Sequence, residues 1–222
     1  MLLKEVTILL KKEMVIEWRL RYALNGILLY LVGTVFICYL SFNLKTGALN
    51  VTTWNALFWI IILFTSVSAV AKSFLLEPAG RLLYYYQIAS PQAIIISKII
   101  YHALLMFFLA GLGLMFYILV MGNPIQDLSL FLVNTALGSL GLSITLTMVS
   151  GIAAKADNSH TLMAILSFPI LIPILLLVIN ISKNALDGLG WEASGSELLT
   201  LLALNTIVAA VTFILFPYLW RS

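Results

Sequence analysis

Charged residues are scarce in this chain of 222 residues. Only 9% are Asp, Glu, Lys or Arg and 62% are hydrophobic, whereas soluble domains carry about 25% charged residues. An ordinary soluble globular domain is therefore excluded. Cysteine is scarcer still, because Cys38 is the only one. Neither an intrachain disulfide nor a thiolate cluster for zinc or iron–sulfur can form.

The few charges leave six stretches that contain none. These are residues 22–44, 46–71, 99–126, 128–154, 158–182 and 198–220. Each stretch can cross a bilayer, since a helix needs about 20 apolar residues to span a hydrocarbon core of roughly 30 Å. We therefore predict an all-α polytopic membrane protein with one transmembrane domain over residues 1–222. We place its six spans at about residues 22–42, 51–71, 99–121, 128–153, 160–181 and 198–219.

The basic residues are distributed unevenly between the two sides of this predicted bundle. With the N-terminus inside, the inner segments hold ten Lys and Arg residues, and the outer loops hold only Lys45 and Lys183. Cytoplasmic loops of membrane proteins are enriched in these residues. We predict that both termini are cytoplasmic. The net charge of +3 is explained by this orientation, and no nucleic-acid partner is predicted.

The N-terminal residues 2–12 have the pattern of an amphipathic helix. One helical face carries Leu2, Leu3, Val6, Leu9 and Leu10, and the other carries Lys4, Glu5, Lys11 and Lys12. This spacing is typical of a helix lying at the membrane interface. Glu13 and Glu17 fall on the apolar face, so we predict a short interfacial helix that turns into the first span at residues 18–22. The alternative is a basic flank that only orients that span.

The inner connection between spans two and three, residues 72–98, has the signals of a further helix. Pro78 can begin a helix, and Ser90 with Pro91 can end one, because the residue before a proline disfavours the helical region. We predict a cytoplasmic helix of roughly three turns on the inner membrane face. The run Tyr84-Tyr85-Tyr86 suits the headgroup layer. The alternative is a docking element for a cytoplasmic partner.

Small and hydroxyl residues recur every four positions in span four. They are Thr135, Ser139, Ser143, Thr147 and Gly151. Such a stripe lets a second helix backbone approach closely. It predicts a helix-packing face, within one subunit or across a homodimer. The alternative is a translocation surface.

Two features concern the following span and the last outer loop. Pro169 and Pro173 near the middle of span five each delete a backbone donor, which predicts a kink and makes them candidate hinge residues.

Residues 180–197 are rich in turn formers around Trp191. We predict an outer loop there, with a short re-entrant or interfacial piece.

Catalytic and cofactor motifs are missing. The chain has no Gly-x-x-x-x-Gly-Lys-Ser/Thr loop, no His-Glu-x-x-His motif and no pair of carboxylates inside a span, so an enzyme is not predicted. His102 and His160, both on the inner side, are nominal haem-iron ligands. An interfacial histidine is more often simply hydrogen-bonded, so we predict no metal site and no directly bound cofactor.

A permease driven by a separate ATPase fits these features, since a structured inner segment can transmit motion to the spans as a rigid lever. We expect the ATPase contact and coupling residues within or beside residues 72–98. They are Glu77, Gly80, Arg81, Leu83, Tyr84, Tyr85, Pro91 and Lys98.

The same inner segment carries a family resemblance. Gly80-Arg81-Leu82-Leu83-Tyr84-Tyr85-Tyr86, then Ala89-Ser90-Pro91-Gln92-Ala93 and Ser97-Lys98-Ile99-Ile100-Tyr101-His102 follow one another. Together with the chain length, the basic N-terminal helix and the six spans, this sequence resembles the haem exporter protein B family. That family provides the membrane subunit of the cytochrome c maturation ABC transporter.

The resemblance implies a multi-pass permease of the bacterial inner membrane that pairs with a soluble ATPase and other maturation proteins. It implies ATP use through the partner, two copies per transporter, and a link to haem export or to release of a haem-loaded chaperone, with haem as a candidate substrate. Two alternatives stay open. One is an ABC exporter for a lipid or drug, and the other is a passive membrane scaffold of the maturation complex.

Overall fold

A computed structural model describes residues 2–19, 21–46, 49–70, 89–154 and 159–221. Every regular element in these ranges is an α-helix. In chain order they are α1 (Leu2–Arg19), α2 (Arg21–Thr46), α3 (Val51–Val70), α4 (Pro91–Met121), α5 (Leu128–Ala153), α6 (Ser159–Asp187) and α7 (Gly190–Arg221). The helices α2 to α7 are long and apolar enough to cross a membrane. The predicted all-α fold with six spans is confirmed.

Helix α5 occupies the centre of the bundle and packs against α3, α4, α6 and α7. In its spanning segment 78% of the residues are buried, compared with 17% for α2. Several of its hydroxyl groups bond to the preceding turn of the same helix, as in Thr135 to Phe131 O (2.9 Å) and Ser139 to Thr135 O (2.7 Å). Because these hydroxyls need no partner on a neighbouring helix, they can be buried among apolar side chains.

Two glycines let the neighbouring helices approach α5. A Cβ atom at Gly138 would lie 2.6 Å from Trp59 Cη2 and 2.9 Å from Val178 Cγ1. A Cβ atom at Gly141 would overlap Asn205 Oδ1. The side chains of α3, α6 and α7 therefore occupy space that only glycine leaves open.

We call the end of the bundle that contains α1 and Ser90 the inner end, and the end that contains Gly122 and Gly188 the outer end, following the orientation that the charges predict. At the outer end neutral groups tie the helices together. Trp59 Nε1 donates to Ser182 Oγ at 2.8 Å, and Asn134 Nδ2 donates to Val178 O at 2.8 Å. Three helices, α3, α5 and α6, are joined by these bonds.

The prediction of an outer loop over residues 180–197 is wrong. Helix α6 continues to Asp187 and α7 begins at Gly190, so that only Gly188 and Leu189 connect them. The turn can be this tight because Gly188 and Gly190, on either side of Leu189, have positive φ angles of 71° and 72°. The polar residues pair across the hairpin instead of forming a loop, as Asn184 Nδ2 donates to Ser194 Oγ at 3.0 Å.

The start of α4 also differs from the prediction. The sequence predicts that Ser90 and Pro91 end an inner helix. Here Ser90 is the N-cap of α4 and Pro91 its first residue. Proline is favoured at this position, because the first helical N–H has no partner within the helix. Helix α4 therefore begins eight residues before the predicted span.

Candidate coupling site at the inner end of the bundle

The N-terminal helix α1 is joined to the first turn of α4. Glu5 Oε2 accepts hydrogen bonds from Ser90 Oγ (2.7 Å) and from the Ser90 backbone N–H (3.2 Å). These two bonds, the hydroxyl first, hold the pKa of Glu5 below its ordinary value. The carboxylate lies at the N-terminus of α4, where the helix dipole favours negative charge.

A second contact follows two turns further along both helices. Glu13 Oε1 lies 3.4 Å from Lys98 Nζ and 2.8 Å from Lys12 Nζ. Burial alone would raise the pKa of Glu13, but the charge of Lys98 and the contacts of Lys12 outweigh it and lower the pKa. The Lys98 side chain is only 2% exposed. Its charge therefore depends on a partner inside the protein.

The two contacts show that α1 and α4 run in the same direction. Eight residues separate Glu5 from Glu13, and eight separate Ser90 from Lys98. Between the two contacts, Leu9 packs on a cluster formed by Ile94, Ile95 and Phe216. Part of the apolar stripe that predicted an interfacial helix thus faces the protein. Helix α1 ends at Arg19, and α2 begins at Arg21, within the predicted turn.

The structure describes two of the eight predicted coupling residues, Pro91 and Lys98. Pro91 is the first residue of α4 and follows the N-cap Ser90. Lys98 points inward to Glu13, so its position is that of a helix-joining residue and not of an exposed contact. The other six lie outside the described residues, as does the predicted coupling helix: Glu77, Gly80, Arg81, Leu83, Tyr84 and Tyr85.

His102, the weak haem candidate, is 1% exposed. Its Nδ1 atom lies 2.8 Å from Thr147 Oγ1, and the Thr147 hydroxyl lies 2.6 Å from Ser143 O. The Thr147 hydroxyl donates its only hydrogen to Ser143 O and can therefore only accept from His102. We assign the imidazole proton to Nδ1 for this reason. The ring thereby joins α4 to α5, one turn beyond Lys98. No three potential metal-binding side chains come together in the described ranges.

The remaining predicted residues lie in the bundle itself. Thr135, Ser139, Ser143, Thr147 and Gly151 are all buried in α5, on the helix that contacts most of the others. Pro169 and Pro173 lie inside the continuous helix α6. Trp191 is exposed in the first turn of α7, and its Nε1 donates to Ser129 Oγ at 3.3 Å.

Sequence reasoning missed Glu5 and Glu13 as partners of α4. One signal was present, because Glu13 falls on the apolar face of the amphipathic pattern. An acidic residue on a face that is otherwise buried indicates a polar partner within the protein. The identity of the partner could not be read, since Ser90 and Lys98 lie far away in the sequence.

Six long apolar helices, with the largely buried α5 at their centre, define a polytopic membrane protein. Comparison with known protein families matches residues 4–218 to the model of the CcmB protein family. The chain belongs to this family, haem exporter protein B, a membrane component of the haem export and cytochrome c maturation ABC transporter. Comparison with curated proteins and with solved structures found no match.

Proposed function

We propose that this chain is the permease subunit of an ATP-driven transporter for cytochrome c biogenesis, and that it has no ATPase activity of its own. A soluble ABC ATPase supplies the energy by docking on the part of the inner connection that precedes α4, residues 72–90. The cycle is linked to haem export or to the release of a haem-loaded chaperone. The subunit lies in the bacterial inner membrane with both termini in the cytoplasm, and two copies form one transporter.

The observation that carries this proposal is the joining of α1 to the start of α4. A displacement of the segment before Ser90 acts on α4 directly, because Ser90 caps that helix. It acts on α1 as well, because Glu5 accepts two hydrogen bonds from Ser90. From α4, the contact of His102 with Thr147 leads to the central helix α5. A push at the inner end would therefore reach three helices together.

The proposal is tested with an ATPase partner whose catalytic glutamate is replaced, expressed beside the unaltered permease. We expect the complex to assemble while covalent haem attachment to c-type cytochromes is lost, measured by haem staining of membrane proteins. Normal cytochrome levels with the inactive ATPase would overturn the proposal in favour of a passive scaffold. Normal cytochromes in a strain that lacks the permease would favour a lipid or drug exporter.

A variant of the permease tests the lever separately. Leu83→Pro should break the predicted inner helix and uncouple ATP hydrolysis from cytochrome maturation, since proline removes a helix hydrogen bond and clashes with the preceding turn. ATPase activity of the purified complex and haem staining are measured together. Retained maturation with Leu83→Pro would contradict a coupling role of this segment.

A further inference from the structure

A groove lies where α1, α2 and α4 meet. Its volume is about 230 Å³, enough for part of one acyl chain. Its walls are mostly aliphatic and aromatic, and two polar side chains lie among them. It is lined chiefly by Met14, Glu17, Leu24, Tyr101, Leu104 and Phe108.

The polar side chains are concentrated at one end of the groove. Glu17 and Tyr101 are near one another. Phe108 lies two turns further along α4, and Leu24 lies in the first turns of the next helix, α2. The Tyr101 hydroxyl is buried and makes no hydrogen bond of ordinary geometry among the described residues, but the Glu17 carboxylate lies beside it. A group bound to Glu17 would therefore also lie close to this hydroxyl.

The length of α4 sets the depth of the groove in the membrane. The helix has 31 residues, whereas a hydrocarbon core needs about 20. If the outer boundary lies at the end of α4, near Met121, the inner boundary falls close to Tyr101. The polar end of the groove then lies at the level of the headgroups, and its apolar end lies within the inner leaflet. This is the orientation of a phospholipid.

The charges around the groove select the headgroup. On α1 the acids Glu5 and Glu13 turn towards α4. The exposed charged side chains of α1 are the bases Lys4, Lys11 and Arg19. Among the described residues, no basic side chain lines the groove itself, and its Glu17 carboxylate repels an anionic headgroup and attracts an ammonium group. A primary ammonium can also donate a charge-assisted hydrogen bond to that carboxylate, which a quaternary ammonium cannot.

We propose that this groove is a binding site for one inner-leaflet phospholipid with a primary-amine headgroup. The ammonium group bonds to the Glu17 carboxylate, and one acyl chain lies between Leu104, Phe108 and Leu24. The lipid fastens α1 to the membrane at the point where α2 begins. This site is independent of the ATPase partner, and its test does not depend on the proposed transport function.

The test uses the full-length protein in nanodiscs of equimolar phosphatidylethanolamine, phosphatidylcholine and phosphatidylglycerol, followed by native mass spectrometry of the retained lipid. The wild type should retain one phosphatidylethanolamine, enriched about fivefold over phosphatidylcholine, the range of a partly exposed ion pair. Glu17→Gln should abolish this enrichment. Glu192→Gln, an exposed acid at the other end of the bundle, should leave it unchanged.

A second pair of variants tests the groove itself. Leu104→Trp fills it, and Leu119→Trp adds the same side chain at an exposed position of α4 remote from the groove. Only Leu104→Trp should lose the retained lipid. Equal retention in both, or equal retention of the three lipids by the wild type, would overturn the proposal. So would a photo-crosslinker at residue 104 that labels a protein chain and not a lipid.

Discussion

The contact of α1 with α4 at the inner end and the contact of α3, α5 and α6 in the outer half depend on different chemistry. At the outer end, neutral amide, indole and hydroxyl groups join α3, α5 and α6, as in the contact of Trp59 with Ser182. At the inner end, carboxylates join α1 to α4, as in the pair of Glu13 and Lys98. Neutral bonds in a closely packed core resist rearrangement. The pair of Glu13 and Lys98 instead depends on the charge of each partner, so its contribution responds to single substitutions and to pH.

The largest effect is expected from Lys98→Met. This variant leaves the carboxylate of Glu13 in a largely buried position without its main counter-charge. We expect α1 to lose roughly 3 kcal/mol of docking free energy, measured as faster hydrogen–deuterium exchange of the amides in α1. Exchange at the outer ends of α3 and α6 should not change.

The double variant Lys98→Met with Glu13→Gln is the control for this prediction. Because the carboxylate charge that Lys98 balanced is then removed, most of the lost protection should return. If the double variant were as unstable as the single one, packing of the Lys98 stem and not its charge would hold α1 in place.

The next effect concerns the outer half of the bundle. In Gly138→Ala the new methyl group collides with the indole ring of Trp59 and with Val178. We expect a loss of about 2 kcal/mol in the free energy of unfolding, in the range of overpacked cores. The loss of stability is measured by thermal unfolding of the purified variant in detergent, at neutral and at acidic pH.

Gly111→Ala provides the matched control, because no atom lies within 4 Å of a Cβ at that position. This variant should be neutral or slightly stabilising, since alanine favours a helix over glycine. Equal effects at the two positions would show that helix propensity and not close packing decides, and the contrast between the two ends would lose its basis.

These contacts also show which parts of the structure a sequence reveals. The six spans were predictable, because a charge-free stretch of this length has few other stable environments. The burial of α5 has a visible signal in its small residues from Thr135 to Gly151. The outer turn was not predictable, because Asn184 and Ser194 look like loop residues until they are seen to bond to each other.

The candidate site was predicted less completely than the fold. The position of Lys98 at the inner side predicts a coupling residue, but its partner Glu13 lies 85 positions earlier in the chain. Such a pairing depends on how α1 lies against α4, and no local pattern encodes it. The acid on the apolar face of α1 indicated only that some partner exists.

A smaller effect is expected from Ser90→Ala. The variant removes the N-cap oxygen of α4 and the 2.7 Å hydrogen bond to Glu5. We expect a cost of about 1 kcal/mol, typical of a lost N-cap, seen as faster exchange in the first turn of α4. Ser90→Thr keeps the hydroxyl and should retain most of the protection. Equal exchange in both variants would contradict a capping role.

The smallest effect is expected from acidification, and it distinguishes the contact of α1 with α4 from the neutral contacts of Trp59 without any substitution. The pKa of Glu13 in the folded protein lies below its ordinary value of 4.5. Its contribution to α1 docking is therefore complete above that value and is lost as the pH falls through the lower pKa of the folded state. Hydrogen–deuterium exchange of the amides in α1 is therefore measured between pH 6 and about 3. Protection should fall in α1 at the acidic end of this series and persist around Trp59, whose neutral bonds bind no proton; a parallel loss at both ends would show that the bundle unfolds as one unit.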